Sequence, residues 1–217
     1  MTDFSAARHN MVENQIRTNK VTDASLIGAL SELPREAFVP ERARSLAYVD
    51  EDLAIGAGRY LMEPMVLARL LQELAPRPDD VALVVGSGSG YSAAVLARLC
   101  TTVVAVEENA DLAARSAETL TRLEIDNAVV IEGSLTEGYA KHSPYDVILV
   151  DGAVEAVPDA LLDQLAEGGR LATVLHERGI GRGAMFSRVG GIISRRVVFD
   201  AATPVLPGFE RPIAFEF

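Results

Sequence analysis

Between Val81 and Tyr91 the chain reads Val-Ala-Leu-Val-Val-Gly86-Ser-Gly88-Ser-Gly90-Tyr91, an apolar run that passes without a spacer into three glycines at alternate positions. A strand that is apolar throughout, with no polar alternation, belongs in a parallel sheet covered on both faces by helices. Glycine at the end of such a strand permits positive φ and lets a ligand approach the backbone closely. The helix that follows opens with free N–H groups, and in an open α/β sheet the mouth above the strand ends is where ligands bind.

The rest of the chain extends this pattern. The spacing predicts strands over Val81–Val85, Thr102–Val106, Ala128–Glu132, Tyr145–Asp151 and Arg170–Leu175. Helices are expected near Tyr91–Leu99, Asn109–Leu123 and Pro158–Ala166, the second carrying an apolar stripe of Leu112, Ala113, Ala117, Leu120 and Leu123. Downstream, Ala184–Val189 and Ile192–Asp200 flank Gly190-Gly191 and read as an antiparallel pair joined by a tight turn. Pro212–Phe217 is expected to add to a sheet edge. Upstream, Thr22 or Asp23 caps a helix that presents Leu26, Ile27, Leu30 and Leu33 on one face and stops at Pro34. After a loop from Pro40 to Glu63, Pro64 opens a second helix through Leu74. With 217 residues, one domain spanning 1–217 accounts for the chain. Residues 1–75 form an N-terminal helical cap and substrate loop, and 76–217 form the ligand-binding α/β core with C-terminal antiparallel strands. The fold class is α/β, Rossmann-like and doubly wound.

Charge narrows the partners. A net charge of −11 argues against a nucleic-acid backbone or an anionic membrane surface. The lone cysteine, Cys100, sits among Leu96, Leu99 and Val103 and reads as a buried apolar side chain, with no disulfide framework. His9, His142 and His176 are scattered without metal-ligand spacing, and His142 reads as a surface residue. Arg178, Arg182, Arg188, Arg195 and Arg196 read as a solvated face. No segment has the order of a signal peptide or the length of a membrane span, so the expectation is a soluble, cytoplasmic protein.

The ligand follows from the second strand. Val103–Val106 ends in Glu107, 17 residues after Gly90, where a carboxylate can accept hydrogen bonds from both ribose hydroxyls of an adenosine-containing ligand. The dinucleotide fingerprint G-x-G-x-x-G needs glycine at position 91, which is Tyr91, so a nicotinamide cofactor fits poorly. No Gly-Lys-Ser/Thr follows, which excludes a P-loop. The spacing G-x-G-x-G is instead like that of S-adenosylmethionine enzymes. Asp151, at the end of the fourth strand, lies at the same mouth.

The chain also resembles the protein-L-isoaspartate O-methyltransferases over nearly its full length. The resemblance is carried by Met11-Val12, Gln15-Ile16, Val21 and Asp23, then by Pro34-Arg35-Glu36-Ala37-Phe38-Val39-Pro40-Glu41. It continues through Ala47-Tyr48-Val49-Asp50, Ile55-Gly56-Ala57-Gly58, the glycine loop, Val157-Pro158, Leu161, Gln164-Leu165 and Gly168-Gly169-Arg170. It implies a seven-stranded fold, S-adenosylmethionine as cofactor, S-adenosylhomocysteine as product, and methyl esterification of isoaspartyl carboxylates in damaged proteins. By the same resemblance Gly86, Ser87, Gly88, Ser89, Gly90, Glu107, Glu108, Ser134, Leu135 and Asp151 are the cofactor positions.

The departures fall at the site. The family's Gln-Thr-Ile-Ser-Gln-Pro is Arg59-Tyr60-Leu61-Met62-Glu63-Pro64 here, so Met62 stands in the active-site serine slot, flanked by Tyr60 and Leu61. A thioether cannot donate a hydrogen bond to a carboxylate. Tyr60 is expected to take over contacts through its hydroxyl, and Arg59 to attract an anionic substrate against the opposing charge of Glu63. Val84 replaces an acidic residue of the glycine-loop strand, and Ser134 replaces the family's adenine-facing aspartate. Four readings stay open: the isoaspartyl enzyme, a methyltransferase with another acceptor such as a small molecule, a cofactor-binding relative that no longer catalyses, and a nicotinamide oxidoreductase. The oligomeric state is not legible.

Overall fold

The computed structural model describes residues 3–210, so the expected edge segment Pro212–Phe217 lies outside the described residues. The N-terminal part contains α1 (Phe4–Met11), which continues as a π-helical turn over Val12–Ile16, and α2 (Ala24–Glu32). Asp23 caps α2, accepting the Leu26 N–H at 2.7 Å. After two short 3₁₀ turns come β1 (Leu53–Gly56), β2 (Arg59–Leu61) and α3 (Pro64–Leu74). The α/β core then runs β3 (Val81–Val85), α4 (Tyr91–Ala97), β4 (Thr102–Glu107), α5 (Ala110–Arg122), β5 (Ala128–Glu132), β6 (Tyr145–Val154), α6 (Asp159–Leu162), β7 (Leu165–Glu177), β8 (Ile180–Val189) and β9 (Ile192–Asp200).

Seven strands form one sheet in the order β5-β4-β3-β6-β7-β8-β9. Strands β5 through β7 are parallel, while β8 and β9 run antiparallel to their neighbours. The chain leaves β3 toward β4 and β5, then returns past it to β6, so β3 and β6 flank the topological switch point. Alternate residues of β3 serve opposite faces. Ala82 and Val84 pack with the N-terminal helices, α3 and α4, whereas Leu83 and Val85 pack with Leu161, Phe186 and Leu206. Val84 is therefore a core residue with no exposed surface.

Three expectations need correction. The stretch expected as a loop from Pro40 to Glu63 contains the β1–β2 hairpin, with Leu53 opposite Leu61 and Ala54 opposite Tyr60. Gly56, Ala57 and Gly58 all have positive φ (107°, 52° and 70°), which turns the chain back within two residues. The helix expected over Pro158–Ala166 is only α6, because the Leu165 backbone pairs with Tyr145 and starts β7 five residues early. Leu161 and Leu165 have helical spacing, and pairing with β6 inside the sheet overrides it. The strand expected from Ala184 begins at Ile180, since β7 and β8 pair as far as Glu177 and Ile180.

The Gly190-Gly191 turn has φ of 59° and 73°, as a two-residue hairpin requires. The Glu167 carboxylate accepts both turn N–H groups. On the outer strands Arg188, Arg195 and Arg196 pair with Asp163, Glu177 and Glu73. Cys100 is buried and free, and burial pushes its thiol up to about 12. Among the described residues no helix is long and apolar enough to cross a membrane.

Helix α3 joins the N-terminal elements to the sheet through side chains with no exposed surface, Leu70 and Leu71 among them. Leu70→Ala should lower unfolding free energy by about 2–5 kcal/mol in chemical denaturation, because the cavity cannot collapse between two packed layers.

Candidate functional site

The site is built at the carboxyl ends of β3, β4 and β6. Leaving β3, the chain turns through Gly86, Gly88 and Gly90 at φ of 75°, 53° and 91°, values that L side chains rarely adopt. The N–H groups of Gly86 and Ser87 donate to the Val106 carbonyl at 2.9 and 3.1 Å, which clamps the loop to β4. Gly90 then caps α4, with the Ala94 N–H donating to its carbonyl at 2.9 Å.

Glu107 closes the opposite side of the loop. It has no exposed surface, and its Oε2 accepts the Gly88 N–H at 2.7 Å while its Oε1 accepts the Asn109 N–H at 3.1 Å. A third donor comes from β2. Arg59 is 3% exposed, and its Nη1 donates to Glu107 Oε1 at 3.1 Å while Nη2 donates to the Gly86 carbonyl at 2.6 Å. This overturns the expectation that Arg59 attracts an anionic substrate against the charge of Glu63. Alternation along β2 turns Arg59 inward and leaves Tyr60 40% exposed. Glu63 lies instead with Asp50, Glu51 and Asp52; burial first, then those charges, push it up to about 7.

Asp151 sits within the β6 irregularity between Leu149 and Ala153, buried, with Oδ2 accepting the Ser92 hydroxyl at 2.5 Å and Oδ1 without a partner among the described residues. Burial pushes its carboxyl up to about 6, against the Ser92 hydrogen bond and the nearby Arg59 and Arg35. Ser87 and Ser89 also have buried hydroxyls without partners among the described residues. Met62 is 2% exposed. It lines, with Arg59, Tyr60, Asp151, Gly152 and Leu206, a cavity of only about 10 Å³, roughly the room for one water.

The structure therefore brings together Gly86–Gly90, Glu107, Asp151, Tyr60 and Met62. Glu108 is exposed, Ser134 is exposed and hydrogen-bonded to Thr136 at 3.2 Å, and Leu135 is a core residue. Two residues were given no such place by sequence reasoning. One is Arg59 as the partner of Glu107. The other is Arg35, fully buried, whose Nε donates to the Ala47 carbonyl at 2.7 Å and Nη2 to the Met62 carbonyl at 2.6 Å. Its guanidinium lies 4.9 Å from the Tyr91 ring centroid, and burial lowers its pKa. Its place inside the Pro34–Glu41 run was the only available hint.

Comparison with known proteins gives this geometry a context. The family model for protein-L-isoaspartate(D-aspartate) O-methyltransferase matches residues 6–189. A Methanoculleus marisnigri protein named protein-L-isoaspartate O-methyltransferase is 40% identical over 171 residues, 79% of this chain and 78% of that protein. A solved structure of the same name superposes with a TM-score of 0.82 at 25% identity, covering 93% of this chain and 66% of that one. A Plasmodium falciparum structure, described as a protein of this kind in complex with S-adenosyl-L-homocysteine, gives 0.80 at 23% identity over 95% of this chain and 99% of that one. The seven-stranded fold is shared with both.

The raised Asp151 carboxyl makes stability pH-dependent. The folded form holds its proton up to about pH 6, against an ordinary value of 3.8. Its contribution is therefore fully present below about pH 4 and is lost as pH rises through 6. At ~1.4 kcal/mol per unit, this amounts to roughly 2–3 kcal/mol. Denaturation midpoints between pH 4 and 7 should show that decline in the wild type and a flatter profile in Asp151→Asn.

Proposed function

Because the chain belongs to the protein-L-isoaspartate(D-aspartate) O-methyltransferase family, we propose that it transfers a methyl group from S-adenosylmethionine to isoaspartyl carboxylates of damaged proteins, a repair reaction. The observation that carries the reading is the buried Glu107 carboxylate bound to the glycine-loop backbone at the mouth of a parallel sheet.

The residues present fit the cofactor in kind. The glycine loop at positive φ and, among the described residues, the unpartnered Asp151 Oδ1 and Ser87 and Ser89 hydroxyls are what a polar adenosine ligand needs. Glu107 would accept its ribose hydroxyls, the glycine loop would lie against it, and Asp151 would accept from a donor on it. The cofactor supplies an activated methyl group on a sulfonium centre.

An isoaspartyl carboxylate is already ionised at neutral pH, so this chain needs no general base. Its residues are left with orientation and the exclusion of water, and orientation can supply several kcal/mol. Arg35 holds the β2–α3 segment through the Met62 carbonyl, and so sets where position 62 stands. Met62 offers no donor to the substrate carboxylate. That observation favours one second reading, methyl transfer to a different acceptor.

Labelled methyl transfer to an isoaspartyl peptide, with its aspartyl twin as control, separates the two. Transfer to the isoaspartyl peptide alone is expected. Cofactor binding without transfer would move the reaction to another acceptor. Met62→Ser should raise isoaspartyl methylation about tenfold, the ~1.4 kcal/mol expected of one restored hydrogen bond to a charged group; no increase would remove the significance of position 62.

A further inference from the structure

The glycine notches are already filled by the chain's own side chains. A Cβ built on Gly86 would lie 2.7 Å from Arg59 Nη2 and 3.2 Å from Leu206 Cδ1. One built on Gly88 would lie 2.8 Å from Ile55 Cδ1, and one on Gly152 2.5 Å from Leu206 Cγ. Ile55 and Arg59 come from the two strands of one hairpin, and Leu206 from a segment that runs beside β6, its N–H donating to the Ala153 carbonyl at 2.8 Å. Arg59 and Leu206, with Tyr60, Met62 and Asp151, leave about 10 Å³, while Ile55 and Ser89 border a separate cavity of about 190 Å³. Pockets for small ligands need ~300–1,000 Å³, so no adenosine-sized molecule fits the cavity between Arg59, Asp151 and Leu206.

The chemistry of the filling is specific. Glu107 has two carboxylate oxygens, and the protein's own N–H groups already engage both, Arg59 supplying the side-chain donor. The Arg59 fork spans from that carboxylate to the Gly86 carbonyl, across the strip of backbone that the glycines leave bare. A lysine, with its single point charge, could not make that bridge as a planar fork does. The family residue at this position, glutamine, is shorter and uncharged.

We propose that Arg59 sets the cofactor affinity of this chain by competing with the cofactor for Glu107, the β1–β2 hairpin acting as a plug that S-adenosylmethionine or S-adenosylhomocysteine must displace. The inference rests on the cofactor reading above. The apparent dissociation constant is then the intrinsic one divided by the fraction of molecules in which Arg59 has left Glu107. Removing the guanidinium raises that fraction and leaves Glu107 and the glycine loop unsubstituted, each losing only the bond it accepted from Arg59.

The test is calorimetric titration of the wild type, Arg59→Gln and Arg59→Lys with S-adenosylhomocysteine, each first checked for cooperative thermal unfolding. Arg59→Gln should bind at least tenfold more tightly than the wild type, and Arg59→Lys should fall between them. Equal affinity would overturn the plug, and weaker affinity would make Arg59 a ligand contact, which also overturns it. No binding by any of the three would overturn both the plug and the cofactor reading. Tighter binding by Arg59→Gln without methyl transfer to an isoaspartyl peptide would leave the plug standing and remove the acceptor assignment.

If Arg59→Gln fails to fold, Arg59→Lys and the wild type carry the test. Phenylglyoxal labelling read by mass spectrometry should leave Arg59 and Arg35 unmodified in the wild type alone. Saturating S-adenosylhomocysteine should expose Arg59 to the reagent while Arg35 stays protected. Arg59 remaining protected in the complex would overturn the displacement.

Discussion

One buried carboxylate, Glu107, holds four pieces of chain in register. It ends β4, takes the Gly88 N–H of the glycine loop, takes the Asn109 N–H just before α5, and pairs with Arg59 of the β1–β2 hairpin. A carboxylate with no exposed surface is tolerable only when charge and hydrogen bonds replace its lost water. That requirement selects the conformation around it. The loop must direct a backbone N–H at Glu107, which the positive φ at Gly86, Gly88 and Gly90 makes possible. The hairpin must direct a cation at it, which the inward side of β2 supplies.

A second buried cation sets the other wall of the site. Arg35 bridges the carbonyls of Ala47 and Met62, so the segment leading into α3 is fixed by hydrogen bonds to a charged group rather than by a ladder. Arg35 and Arg59 both act on the buried Asp151 carboxyl, where charge interactions are poorly screened. The pull of the two cations moderates the burial penalty on Asp151 and does not cancel it.

How well each part could be read from residues followed the range of the interaction involved. The buried strands β3, β4 and β6 were legible because an uninterrupted apolar run has few other homes. Glu107 was legible because a strand-end acid beside a glycine loop is a local pattern. The role of Arg59 was not: its partner is 48 positions away, and the nearest opposite charge in the sequence, Glu63, proved to face other acids. The helix expected over 158–166 failed for a related reason. Local spacing of Leu161 and Leu165 favoured a helix, and pairing of Leu165 with Tyr145 decided for a strand.

The amino-acid sequence by itself determined the α/β class, the parallel order implied by crossover helices, the glycine turns and the acid at the ligand mouth. Each depends on periodicity or on backbone freedom within a few residues, and those act before the chain is packed. Only the tertiary structure decided which side chains occupy that mouth. Arg59, Ile55 and Leu206 reach it from segments far apart in the chain, and whether a charge there meets solvent, another charge or the backbone depends on packing that no local pattern encodes.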